Sequence, residues 1–329
     1  MTPNVSFEFF PPQSLDASFR LWETVKDLAP LDPNFVSVTY GAGGTTRKLT
    51  HEAVAAINKN YGLKVAAHLT CVDASRTETL KIASAYAAAG IKDIVALRGD
   101  APKGQNKFIP HKDGFANSVE LIAALSETSD FNIRVGAYPD PHPDARGTDA
   151  DVEWLKRKID AGASSAITQF FFEADTFFRF RDKCAAAGIA APIVPGILPI
   201  DSWKKIRGFA ARSGAVIPTW LDEAYEKAMR DDREELLSIA LATAAITVDA
   251  GTNKTLAPTP GIIRPTPSTN PPITPFPTEP NVSVTIIYLL WFVLGMAATG
   301  WLGVGGSRRY RCQPSGDVVT IVCWAWGQL

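Results

Sequence analysis

The chain has 329 residues, 46% of them hydrophobic and 20% charged, with a net charge of -1, enough for one large α/β domain or two smaller ones and without the basic excess that suits nucleic acid. Its four cysteines, Cys71, Cys184, Cys312 and Cys323, are scattered and lack the short paired spacings of zinc sites, so they read as buried thiols of a reducing compartment, with no metal site. A strand-like run begins within five residues of Met1 with no charged-then-apolar leader, which predicts a cytoplasmic protein.

The first predicted strand, residues 5 to 10, alternates Val5, Phe7 and Phe9 with Ser6, Glu8 and Phe10, and Pro11 and Pro12 end it because neither can donate to a ladder. Glu8 is thus placed among aromatic and aliphatic neighbours, where a desolvated carboxyl suits a general acid near neutral pH. The alternative is a Glu paired with an Arg or Lys inside a barrel. Further strands are predicted at 35–40, 64–71, 93–98, 132–138, 166–172 and 193–198, seven in all. Between them lie segments of helical period near 16–28, 48–60, 76–89, 115–127, 150–162, 174–187 and 202–213. Alternating strands and helices imply parallel pairing with right-handed crossovers, and seven to eight such units predict an α/β fold of the (β/α)8 TIM-barrel type. No GxGxxG follows the first strand, which disfavours a Rossmann sheet.

In such a barrel the chemistry collects at the C-terminal ends of the strands. Those ends carry Glu8, Thr39 with Tyr40 and Gly41, His68 with Thr70, Arg98-Gly99-Asp100, Tyr138 with His142, and Gln169. A lone strand-end His or Arg is usually structural; six strands aiming polar groups at one mouth predict a site.

Residues 1–250 form the predicted barrel domain, and beyond them the character changes. Nine prolines between Pro258 and Pro280 make 251–281 an extended, disordered linker. The last segment, 282–329, has no charge from Val282 to Gly306, and Val284 to Val304 is long enough to cross a bilayer. Arg308, Arg309 and Arg311 follow; on a true anchor they would keep the tail cytoplasmic and put the barrel on the other side. The abrupt change near 245–255 instead reads as a change of reading frame or a fusion. The tail is expected to lack packing against the barrel and to contribute nothing to the site, because the proline run cannot supply a ladder strand.

The blocks SFEFFPP (6–12), SVTYGAGG (37–44), AAHLTC (66–71), IVALRGD (94–100), AYPDPHPDA (137–145), LKRKIDAGASSAITQFFF (155–172) and PGILPI (195–200) resemble, in order, bacterial methylenetetrahydrofolate reductases over roughly residues 4–250. The resemblance implies a homo-oligomeric (β/α)8 flavoprotein that binds FAD at the barrel mouth. It would reduce 5,10-methylenetetrahydrofolate to 5-methyltetrahydrofolate with NADH or NADPH, folate being its partner and a membrane only if the tail is genuine.

By that resemblance Glu8 would protonate N10 of the folate, leaving an N5 iminium to accept hydride. Asp100 would lie beside flavin and pterin, where its charge favours hydride donation, and Gln169 would pair with the amide-like pterin edge. Thr39, His68, Arg98, Gly99, Asp100, Ala116, Tyr138, His142, Asp151, Arg157 and Lys158 would contact FAD, the cations suiting its diphosphate. Phe209 would stack on nicotinamide or folate. Two departures stand out: Lys205 replaces a Gln of better-known bacterial members, and the family's last, aromatic strand is missing or replaced. The alternatives are a barrel that binds FAD or folate but turns over poorly, and a membrane-tethered binding protein.

Overall fold

Seven short strands form at the apolar runs: β1 (Ser6–Phe9), β2 (Phe35–Val38), β3 (Val65–Thr70), β4 (Asp93–Leu97), β5 (Asn132–Ala137), β6 (Ser165–Thr168) and β7 (Ile193–Val194). Helices α1 (Leu15–Leu28), α2 (Arg47–Tyr61), α3 (Arg76–Ala88), α4 (Ser118–Thr128), α5 (Thr148–Asp160) and α6 (Ala174–Ala186) connect them, and α7 (Trp203–Ser213) follows β7. This computed structural model describes residues 5–40, 47–101, 107–128, 130–200, 202–231, 233–234, 237 and 324–325. Each strand pairs parallel with the next in sequence, so the ladder runs β7-β6-β5-β4-β3-β2-β1.

The pleat sorts the side chains onto two faces. Phe7, Phe9, Val36, Val38, Val65, Ala67, Leu69, Ile94, Ala96, Ile133 and Val135 join Leu21, Val25, Val54, Ile57, Leu121 and Leu155 of the helices in one large core. Phe35, Ala66, Val95, Ile167 and Val194 form a second cluster on the inner face. The sheet curls around it. In a flat sheet β2 and β5 would lie three spacings, about 14 Å, apart with parallel side chains, yet the Arg134 guanidinium on β5 sits 4.1 Å from the centre of the Phe35 ring on β2. The result is a seven-stranded parallel half-barrel.

A polar cluster fills the inner face at the N-terminal ends of the strands. Arg134 donates to Asp93 Oδ1 at 2.9 Å and to Ser165 Oγ at 3.2 Å, Asn132 donates to the same Asp93 oxygen at 2.6 Å, and Lys64 Nζ lies 3.4 Å away. Such a buried pair is tolerable because each charge is hydrogen-bonded as well as neutralised. The chemistry-bearing ends lie opposite.

Local sequence explains the helix starts. Ser14 accepts from Ala17 N–H to cap α1, Ser75 and Glu78 form a reciprocal capping box on α3, and Asn117 Oδ1 accepts from Val119 and Glu120 on α4. Gly214, at φ 80°, closes α7 in the left-handed region.

The structure differs from expectation in three places. β6 stops at Thr168 rather than 172, because Phe170 and Phe172 leave the ladder for an aromatic cluster with Phe209 and Trp203. β7 has two residues rather than six: Pro195 lacks a donor and Gly196 N–H turns to the Thr168 hydroxyl at 2.8 Å. An eighth helix, α8 (Thr219–Arg230), buries Leu221, Tyr225 and Ala228 at helical spacing against α7, with the Tyr225 and Trp203 rings stacked 4.4 Å apart.

At the edge of β1, Trp324–Ala325 pairs parallel with it as β8, opposite Glu8 and Phe9. The unpaired N–H and C=O groups of an open β1 edge are a template that an extended segment can use. The linker and the rest of the tail lie outside the described residues, as does the apolar run 284–304. Among the described residues no helix is long and apolar enough to cross a membrane. Cys71 and Cys184 are buried free thiols, pushed up to about 12 and about 11 by burial, as inert core cysteines should be.

Candidate active site

Three groups of side chains gather at the C-terminal ends of the strands. The first is built by β1, β2 and β3. Glu8 stands opposite Ser37 in the β1–β2 register, and its inward side chain is only 4% exposed. Ser37 Oγ–H donates to Glu8 Oε2 at 2.9 Å, and His68 Nε2 lies 3.1 Å from the same oxygen. The carboxyl therefore does not sit among apolar neighbours, and its partner is neither Arg nor Lys. Alternation is the reason: Phe7 and Phe9 face the helices, while Glu8 faces the polar inner side. Beyond this trio the Thr39 hydroxyl oxygen is buried with no hydrogen-bond partner among the described residues.

The second group comes from β4, β5 and α5. Arg98 pairs through Nη1 with Asp144 Oδ2 at 2.9 Å and keeps a third of its side chain exposed. Gly99 has φ 85°, and a Cβ there would stand 2.3 Å from Val72 Cγ2, so only glycine permits this turn. Exposed Asp100 acts on Tyr138 and His142 through its charge. Tyr138 and His142 meet edge to face at 4.7 Å, and Asp151 Oδ2 accepts the His142 backbone N–H at 2.9 Å. His142 Nδ1 accepts from Asp144 N–H at 3.0 Å, which puts the neutral ring's proton on Nε2.

Burial dominates the electrostatics of this group. It pushes the Tyr138 phenol up to about 12, lowers His142 and raises Asp151. Lys158 donates to Gly136 C=O at 2.7 Å and is pushed down to about 8 by burial, with the Asp151 carboxylate opposing.

The third group is aromatic. Gln169 Oε1 accepts the Phe170 N–H at 3.1 Å, and Phe170 stacks on Phe209 of α7 at 5.3 Å. Phe209 is half-buried beside the Arg212 guanidinium, one helical turn after exposed Lys205.

Ala116 is exposed ahead of α4, its N–H given to Glu120, and Arg157 is exposed and paired with Glu153 at 2.6 Å. Ser37 and Asp144 were missed as site residues. Ser37 is two positions before Thr39 on the same strand face, a signal that was available; the Asp144 pairing depends on how the 138–145 loop folds and had none.

A family model for methylenetetrahydrofolate reductase matches residues 1–254. The chain belongs to the methylenetetrahydrofolate reductase family. It is 47% identical over 223 residues to the 5,10-methylenetetrahydrofolate reductase of Pectobacterium carotovorum subsp. carotovorum, covering 68% of this chain and 73% of that one. To the enzyme of the same name from Escherichia coli (strain K12) it is 46% identical over 231 residues, 70% and 76% of the two chains. A plant relative, methylenetetrahydrofolate reductase (NADH) 1 of Arabidopsis thaliana, is 36% identical over 238 residues, 69% of this chain and 40% of its own. The family match covers the whole half-barrel and all three side-chain groups, so membership in this reductase family applies to the chemistry-bearing end of the sheet.

Proposed function

We propose that this chain reduces 5,10-methylenetetrahydrofolate to 5-methyltetrahydrofolate, taking the hydride from NADH or NADPH through FAD bound at the C-terminal strand ends of the half-barrel. The observation that carries this reading is Glu8, a buried carboxyl at a strand end of a family member, held on one oxygen by Ser37 and His68. Ring opening of the substrate needs a proton at N10, and Glu8 is the acid positioned to give it.

The residues present fit a flavin dinucleotide. The Thr39 hydroxyl is a buried polar group with no partner among the described residues, Arg98 and Lys158 supply cations for a diphosphate, and Tyr138 and His142 line one side with ring edges. Bound FAD supplies the hydride relay between reduced nicotinamide and folate. Gln169 orients the pterin, the Phe170–Phe209 stack extends an aromatic wall for a flat ring, and Asp100 places a negative charge beside the redox centre. Exposed Ala116 and Arg157 reach the cofactor from the rim.

The purified full chain should be yellow, with FAD released on denaturation and identified chromatographically. A colourless chain that takes up no FAD on titration would sink the reading. Asp100→Asn removes one negative charge, so the flavin potential should rise and hydride donation to folate should slow while FAD stays bound. An unchanged potential in a dye-equilibration titration would show that the charge is too far away or too well screened.

Lys158 makes cofactor affinity depend on pH. Its depressed value means that the fold releases this proton first: from about pH 8 up to its ordinary value near 10.5 only the unfolded chain holds it. Folding gains from this group as pH rises through that window, whereas an anionic diphosphate loses its ammonium partner. FAD affinity should therefore weaken as pH rises through about 8. In Lys158→Arg, which keeps its charge, titration of the apoprotein should show no such step; a step of the same size would assign the effect elsewhere.

A further inference from the structure

Among the described residues, both polar contacts of the Glu8 carboxyl fall on one oxygen. Ser37 Oγ–H donates to Oε2 at 2.9 Å and His68 Nε2 stands 3.1 Å from Oε2, while no described side chain pairs with Oε1. An sp2 carboxyl oxygen has two lone pairs. In the His68 tautomer that carries its proton on Nε2, His68 and Ser37 both donate to Oε2, and the carboxyl proton is placed on Oε1. The arrangement is rigid: Ser37 is fully buried, His68 is 5% exposed, and the β1–β2 and β3–β4 ladders hold their backbones.

We propose that Ser37 is a positioning residue for the folate half of the reaction, locking Glu8 so that Oε1 carries and delivers the proton. Ser37 is fully buried behind Glu8 and acts through it. Its hydroxyl keeps the carboxyl from rotating and reserves Oε2 as the acceptor, so the proton leaves from Oε1 to folate N10 and the carboxylate stays anchored by Ser37 and His68 until solvent reprotonates Oε1. The inference rests on the reading of Glu8 as the folate acid.

The test measures the two half-reactions separately in wild type, Ser37→Ala and Ser37→Thr, across pH. Loss of the hydroxyl should slow flavin reoxidation by methylenetetrahydrofolate roughly tenfold, a fraction of what an acid catalyst supplies. It should also move the alkaline limb of that half-reaction to higher pH, because one donor to the carboxylate form is gone. Flavin reduction by NADH or NADPH should stay at the wild-type rate, and Ser37→Thr should restore the limb. The readings fail in different ways: a wild-type protein that never passes hydride to folate refutes the function, whereas a working wild type with an unmoved limb in Ser37→Ala refutes the role of Ser37. Equal slowing of both half-reactions in Ser37→Ala also overturns it, since that marks general damage. If Ser37→Thr does not fold, the limb of Ser37→Ala alone decides.

Discussion

Glu8→Gln is expected to stop folate reduction while leaving flavin reduction by NADH or NADPH nearly untouched. Gln keeps the shape of the side chain and an oxygen for Ser37 and His68, so the β1–β2–β3 inner face should survive. What it loses is the ionisable proton. Only the folate half-reaction consumes one at N10, so only that half should fall, by about 10²–10⁴-fold for a general acid. Stopped-flow absorbance resolves the halves: reduction of the flavin at the wild-type rate, then reoxidation by methylenetetrahydrofolate too slow to follow. Equal loss in both halves would mean that Glu8 holds the cofactor or the fold rather than the transferred proton.

The largest expected effect on stability lies at the other end of the sheet. Asp93→Ala leaves the Arg134 guanidinium buried, 8% exposed, with Ser165 and the Phe35 ring but no counter-charge. Burial already lowers the Arg134 affinity for its proton, with the Asp93 charge opposing. Removing one member of such a pair typically costs about 3–5 kcal/mol, which for a domain of this size is a fall in thermal midpoint on the order of 10 °C. Arg134→Met should cost less, since Asp93 keeps Asn132 at 2.6 Å and Lys64 at 3.4 Å. The double variant Asp93→Leu/Arg134→Met should recover much of the loss, because it buries no charge. A thermal midpoint for Asp93→Ala within about 1 °C of wild type would show that water reaches the guanidinium and that the cluster is not a plug.

The strands were legible because parallel, two-face-buried strands read as short apolar runs, and all seven lie where the runs stand. Their lengths were not. The run 166–172 continues past Thr168 and Gln169 into three phenylalanines that read as more strand, yet Phe170 and Phe172 serve a second core built by α7 and α8, a tertiary choice that no local pattern encodes. Helix α8 could have been read: Leu221, Tyr225 and Ala228 repeat at helical spacing after Pro218. The site was legible as a set of strand ends, since polar residues at the ends of parallel strands converge whatever the loops do. Its pairings were only partly so. The Glu8–Ser37 contact follows from a register that sequence leaves open, and the Arg98–Asp144 pair joins β4 to a loop 46 residues away, which only folding brings together. For the same reason Trp324–Ala325 beside β1 was unforeseeable: a two-residue pairing carries no periodic signature.

The most direct test of flavin-linked folate reduction is an anaerobic single turnover of the full chain. Bound flavin is bleached with NADH or NADPH, excess nicotinamide is removed, and 5,10-methylenetetrahydrofolate is added while absorbance and product are followed together. The flavin colour should return with one 5-methyltetrahydrofolate formed per flavin. Flavin that stays reduced in the presence of the folate, or that reoxidises without 5-methyltetrahydrofolate, would contradict it.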